Sequence, residues 1–216
     1  MSSSTNGVPN TTASATPAQQ EALPWWAART GFGWINIITG FFSLLATAIL
    51  VGERIDLYVD ANHHASCDFG GPFSCTSVMK SPEAALFGFP NPFIGLVGFT
   101  ILLVTGVVLI AGAKLARWYW IAYSVGVVAA FTFLVWLYTQ AVYDIKALCI
   151  YCMICWLMMI ILVFVVLGRN ILVGDFPAPK FLHGWARNWM WITVVIVALA
   201  CAASIFIKFM AQFLTM

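Results

Sequence analysis

The sequence predicts an all-α membrane protein with five transmembrane helices, and three observations carry that prediction. Only 8% of its 216 residues are charged and 62% are hydrophobic, whereas a soluble domain carries roughly 25% charged residues. The mean hydropathy is +0.93. Five apolar stretches also reach the roughly 20 residues that a helix needs to cross a bilayer, and none alternates as a barrel strand does. A chain so poor in charge cannot cover a water-facing surface, which excludes a cytosolic enzyme and a disordered polypeptide. The net charge of +2 gives no footing for a nucleic-acid partner.

Residues 1–31 are rich in Ser, Thr, Ala, Pro, Asn and Gly, with no basic residue before Arg29. A signal peptide needs a basic segment followed directly by an apolar core. The expectation is a disordered tail ahead of a signal-anchor helix. Residues 32–216 then form a single transmembrane domain, with spans at Phe32–Val51, Phe93–Ala113, Trp118–Thr139, Cys149–Leu167 and Trp189–Met210. Gly95, Gly98, Gly106, Ser124 and Gly126 would let helix backbones approach closely.

Orientation follows from the basic residues flanking the spans. Arg29, Lys114, Arg117, Arg169, Lys180 and Arg187 fall on one side, and Arg54, Lys80, Lys146 and Lys208 on the other. The richer side is expected to be cytoplasmic, which puts the N-terminus inside and the C-terminus outside. Trp25, Trp26, Trp34, Trp118, Trp120, Trp185, Trp189 and Trp191 would gather at the inner interface as an aromatic belt. Two segments then face out: the loop of residues 52–92 and the turn of residues 140–148.

Those outer segments carry the reactive chemistry. Cys67 and Cys75 lie in the loop, and Cys149 and Cys152 lie where the fourth span enters the membrane. Four thiols on the oxidising face can persist as disulfides. Cys149-Ile150-Tyr151-Cys152 opens a helix, so both sulfurs share a face and the orphan N–H groups favour a thiolate. The overlapping pair Cys152 and Cys155 would sit a turn deeper, in hydrocarbon, where a soluble partner cannot reach. The expectation is therefore Cys149 with Cys152, with Cys155 and Cys201 as packing. Gly70-Gly71-Pro72 makes a turning segment between Cys67 and Cys75. A static loop disulfide is one reading of that pair. Exchange with the helical pair is the other, needing only a hinged loop.

Cys67-Asp68-x-Gly70, Ser74-Cys75, Asn91-x-x-x-Gly95 and Leu148-Cys149-x-x-Cys152 together resemble the vitamin K epoxide reductase family, over roughly Trp34 to Leu167. The resemblance implies a four-helix bundle around a quinone, with the fifth helix outside it. It implies that Cys67 and Cys75 are a shuttle pair taking electrons from a separate thioredoxin-like (DsbA-like) extracytoplasmic protein. Cys75 would exchange with Cys149, and Cys152 would pass two electrons to a membrane quinone, menaquinone or ubiquinone. Asn91 would hydrogen-bond a quinone oxygen, although Asn91-Pro92 also reads as a helix cap. Met79 and Trp156 would line the quinone pocket, where vertebrate members carry aromatic residues and a tyrosine respectively. Trp156 cannot act as a phenol, which favours disulfide formation in the plasma membrane over reduction of an epoxide.

The competing readings are an epoxide reductase proper, a scaffold with structural disulfides, and a zinc site of His63, His64, Cys67 and Cys75. Zinc would lock the thiols and oppose shuttling, so no metal is expected. Ser81-Pro82-Glu83 predicts a short helix, Pro82–Phe87, lying on the membrane surface as a lid. Glu53, Asp56 and Asp60 read as a solvated face, and Asp68 as a charge that raises a neighbouring thiol pKa.

Overall fold

The computed structural model describes residues 23–213, and the expected tail lies outside them up to residue 22. Five long helices follow the apolar runs: α1 (Arg29–Val59), α3 (Pro92–Ile110), α4 (Arg117–Thr139), α5 (Ile150–Val173) and α7 (Met190–Phe213). All five are long and apolar enough to cross a membrane. Two short helices join them, α2 (Cys75–Lys80) in the loop between α1 and α3 and α6 (Lys180–Asn188) before α7. Among the described residues there is no β-strand, only isolated bridges.

Helix α1 packs along α3 and α5, and α4 packs on α5. Helices α3 and α4 share no extended contact, so these four helices enclose a space that opens between them. Helix α7 lies against the outside of α5. The α1–α3 contact is close because it is glycine-lined: a Cβ on Gly106 would stand 2.7 Å from the Gly33 carbonyl oxygen. Gly95 meets Thr47 in the same way, whereas Gly98 and Gly126, expected as contact points, have open space around them. Both border the cavity instead.

At the end of the bundle opposite the C-x-x-C, buried polar groups pair with one another. The Tyr123 hydroxyl donates to Asn36 Oδ1, and Asn170 Nδ2 donates to Ser124 Oγ at 2.5 Å. The Arg169 guanidinium lies 3.7 Å from the Trp120 ring centre and reaches Asp175 at 3.4 Å. Trp120 and Trp26 are therefore inside the protein, at 5% and 2% exposure, and not in an interfacial belt. Trp25, Trp34, Trp118 and Trp189 are exposed, as expected of belt residues. Burial of Trp26 also corrects the reach of the tail. Residues 24–28 form a turn, with the Ala27 and Ala28 N–H groups on the Pro24 carbonyl, and α1 begins at Arg29.

Helix α1 continues past Val51 to Val59, and this extension is a platform for the loop between α1 and α3. Leu57 packs beside Cys67, Cys75 and Cys149. Glu53 is more than a solvated side chain: it accepts the Ser66 N–H at 3.0 Å and meets His63 Nε2 at 2.9 Å.

Candidate functional site

Local hydrogen bonds fold the loop between α1 and α3 into a compact hairpin. Gly70 and Gly71 adopt φ of 85° and 57°, a left-handed region that glycine enters without steric cost. The Phe73 N–H then closes on the Gly70 carbonyl at 3.2 Å. Ser74 caps α2 by accepting the Ser77 N–H at 3.2 Å. Asp68 accepts the Thr76 N–H at 3.1 Å, and Thr76 Oγ1 accepts the Ala65 N–H at 2.9 Å. Cys67 and Cys75 are joined as a disulfide, Cα to Cα 5.7 Å.

The hairpin is stitched to the start of α5. The Leu148 N–H donates to the Pro72 carbonyl at 2.8 Å, and the Ser74 N–H donates to the Leu148 carbonyl at 3.0 Å. Cys149 follows as the N-cap of α5, its sulfur accepting the Cys152 N–H at 3.4 Å. The sulfurs of Cys67, Cys75 and Cys149 consequently lie within 4.8 Å of one another. Cys149 and Cys152 are free thiols. The hydrogen bond from the Cys152 thiol, with N–H groups at the start of α5, holds the Cys149 thiol below its ordinary pKa despite burial. Asp68 opposes this through like charge, as the sequence led us to expect. Burial raises the Asp68 carboxyl itself, but hydrogen bonds from Thr76, Ser74 and Cys75 outweigh burial and hold it below the usual value.

Cys155, one turn deeper, is buried and turns its sulfur to the Ser43 carbonyl at 3.8 Å and Thr47 Oγ1 at 3.7 Å. Cys201 lies on α7, where its carbonyl accepts the Tyr138 hydroxyl at 3.3 Å. The histidines face carboxylates: His63 meets Glu53, and the exposed His64 lies 3.8 Å from Asp68. Among the described residues, neither imidazole joins the sulfur cluster.

Beyond Cys149 an elongated cavity of about 1070 Å³ runs between α3 and α4, backed by α1 and α5. Cys152, Met79, Asn91 and Trp156 all line it. The Trp156 ring stands edge-on to Tyr138 at 5.0 Å. Asn91 makes no side-chain cap for α3. Its Nδ2 donates to the Glu83 carbonyl at 2.6 Å, and its buried Oδ1 has no partner. The Glu83 carbonyl can only accept, so the amide must turn its oxygen away from it. Asn91 thus keeps a buried acceptor without a partner on a residue that lines the cavity. The expected helix Pro82–Phe87 is a single 3₁₀ turn, Pro82–Ala85, because Ser81 does not cap it. Phe87 and Phe89 follow at the edge of the cavity, and the Phe87 ring lies 5.8 Å from that of Phe133.

Sequence reasoning counted Arg54 only as a flanking charge, but it lines this cavity and donates to the Met79 carbonyl. Its position just past an apolar run, on the same side as the cysteines, was the available signal.

Compared with known families, residues 34–167 match the vitamin K epoxide reductase family, more than half of the chain. No individual curated protein gives a significant match.

Proposed function

The chain belongs to the vitamin K epoxide reductase family, and from that premise we propose that it is a quinone-dependent thiol–disulfide oxidoreductase that drives disulfide formation outside the cell. The family supports the coarser statement directly: an oxidoreductase with a quinone-linked thiol role, in a multi-pass membrane protein. The finer reading is that the dithiol of a thioredoxin-like extracytoplasmic protein and a quinone become a disulfide and a quinol. The N-terminus is cytoplasmic and the cysteine loop is outside, in the plasma membrane. The quinone is an electron-transport quinone, menaquinone or ubiquinone.

One observation carries the proposal. The Cys149 sulfur lies within 4.8 Å of both loop sulfurs, while Cys152, on the next turn, lines the apolar cavity. The residues fit a quinone. The cavity is apolar enough for an isoprenoid tail, and the unpaired Asn91 Oδ1 is an acceptor suited to the hydroxyl of the quinol product.

Two electrons pass in thiol–disulfide exchanges that conserve atoms at each step. A partner thiolate attacks the Cys67–Cys75 disulfide, and the second partner thiol resolves the mixed disulfide, leaving both loop thiols reduced. Cys75 then attacks Cys149 of an oxidised Cys149–Cys152 pair, and Cys67 displaces Cys149. The helical dithiol finally gives two electrons and two protons to the quinone, closing its own disulfide. The depressed Cys149 thiol suits a good leaving group in the middle step. Donor and acceptor, one in water and one in lipid, never need to meet.

The test is quinone reduction by the purified protein with a reduced thioredoxin-like donor. Turnover in the wild type, abolished by Cys149→Ala and by Cys152→Ala, supports the reading. For Cys75→Ala, loss with the protein donor but rescue by a small dithiol supports the relay. A folded wild type with no turnover on any quinone overturns it.

A further inference from the structure

Three of the buried side-chain polar atoms that lack a hydrogen-bond partner belong to residues lining the same cavity: Arg54 Nε, Ser81 Oγ and Asn91 Oδ1. Leaving a buried donor or acceptor unpaired is costly, and more so when the group is charged. Arg54 is the charged one. The rest of its guanidinium is engaged, with Nη1 donating to the Met79 carbonyl and Nη2 to the Tyr58 hydroxyl at 3.3 Å. Its Nε–H has nothing to donate to. Among the described residues no carboxylate pairs with it. Met79, which holds it, packs in the same cluster as Cys149 and Cys152, so the cation stands at the cysteine end of the cavity.

We propose that Arg54 is a substrate-contacting residue that donates its Nε–H to a ring oxygen of the quinone. The proposal rests on the quinone reading above. A ring oxygen becomes more negative as electrons arrive from Cys152, and a fixed cationic donor stabilises that charge. Asn91 Oδ1 cannot fill this role, because it is an acceptor. It complements the product instead, taking the hydroxyl hydrogen of the quinol. Donor and acceptor together make the outer end of the cavity selective for a ring that exchanges carbonyl for hydroxyl. Arginine keeps its charge at any physiological pH, so the donor is always present.

The experiment compares full-length wild type, Arg54→Lys and Arg54→Gln, with a short-tailed ubiquinone analogue as acceptor and dithiothreitol as donor. A second measurement omits the quinone and follows single-turnover oxidation of dithiothreitol by the Cys67–Cys75 disulfide. Lysine retains a cation that can reach the Met79 carbonyl but has no second donor in the Nε position. Both variants should lose about tenfold or more in kcat/KM for the quinone, as expected for one hydrogen bond to a charged group. Single-turnover thiol oxidation should keep its wild-type rate. Unchanged kcat/KM in folded Arg54→Gln would overturn the proposal. So would equal slowing of both reactions, or failure of both variants to fold, since Arg54 would then act only by holding the loop. A wild type that oxidises dithiothreitol but reduces no quinone sinks the proposed function itself, which separates the two failures.

Discussion

The Ser74 N–H donates to the Leu148 carbonyl at 3.0 Å, and each of these residues immediately precedes a cysteine, Cys75 and Cys149. A loop and a transmembrane helix that are far apart in sequence are thus registered by backbone hydrogen bonds one residue before their sulfurs. Backbone registration tolerates side-chain motion, so the loop disulfide can open without releasing the hairpin from α5. Such a contact places sulfurs for exchange whether they are bonded or free.

That registration predicts which mixed disulfide forms. In Cys67→Ala, Cys75 has no resolving partner and should accumulate as a Cys75–Cys149 disulfide once the helical pair has been oxidised. Non-reducing peptide mapping reads this directly. Recovery of a Cys67–Cys149 link from Cys75→Ala in greater yield would show that the other loop sulfur is the one that attacks.

Asp68 predicts two pH effects of defined sign. Its carboxyl is held below the ordinary value. It therefore stabilises the loop above the unfolded carboxylate pKa of about 3.9, and that stability is lost as pH falls through the lower folded value. Limited proteolysis of the loop should reveal opening only under such acid conditions. Asp68→Asn removes the charge that opposes the Cys149 thiolate. The midpoint for alkylation of Cys149 should move to lower pH, and a move to higher pH would contradict the electrostatic account.

Gly106 and Gly126 predict opposite outcomes for the same substitution. A Cβ on Gly106 would meet the Gly33 carbonyl oxygen at 2.7 Å and the Ile37 backbone nitrogen at 2.9 Å, whereas Gly126 has nothing within 4 Å. Gly106→Ala should destabilise by about 1–3 kcal/mol, because two backbones must separate. Gly126→Ala should leave stability unchanged or raise it by up to about 1 kcal/mol, since alanine favours the helix and meets nothing. Thermal unfolding in detergent measures both.

Trp156 predicts an acceptor-side defect. Its ring packs edge-on to Tyr138 at 5.0 Å while lining the cavity, where an aromatic contact with a quinone ring would be worth about 0.5–1.5 kcal/mol. Trp156→Ala should raise KM for the quinone by up to about tenfold, since 1.4 kcal/mol corresponds to a factor of ten. Trp156→Phe should retain most of the wild-type value. Thiol exchange measured without quinone should not change in either variant.

The sequence by itself determined the membrane class, the five spans to within a few residues at most ends, the family, and the placement of four cysteines in the loop before the second span and at the start of the fourth. These features are local. A span is a run of apolar side chains, and the C-x-x-C is one turn of helix. The ends that moved did so for tertiary reasons. Helix α1 extends to Val59 because Leu57, Glu53 and Arg54 find partners in the loop, and residues 24–28 form a turn against the bundle where Trp26 is buried. Only the tertiary structure decided which of the candidate glycines bring backbones together, since composition is blind to the opposing surface. It alone decided that the Asn91 amide turns its oxygen away from a carbonyl eight residues away and leaves it without a partner. It likewise decided that Arg54, a residue lining the cavity, keeps a buried donor without a partner. Whether a polar atom is satisfied depends on every group within hydrogen-bonding reach, and those groups come from segments that sequence order keeps apart.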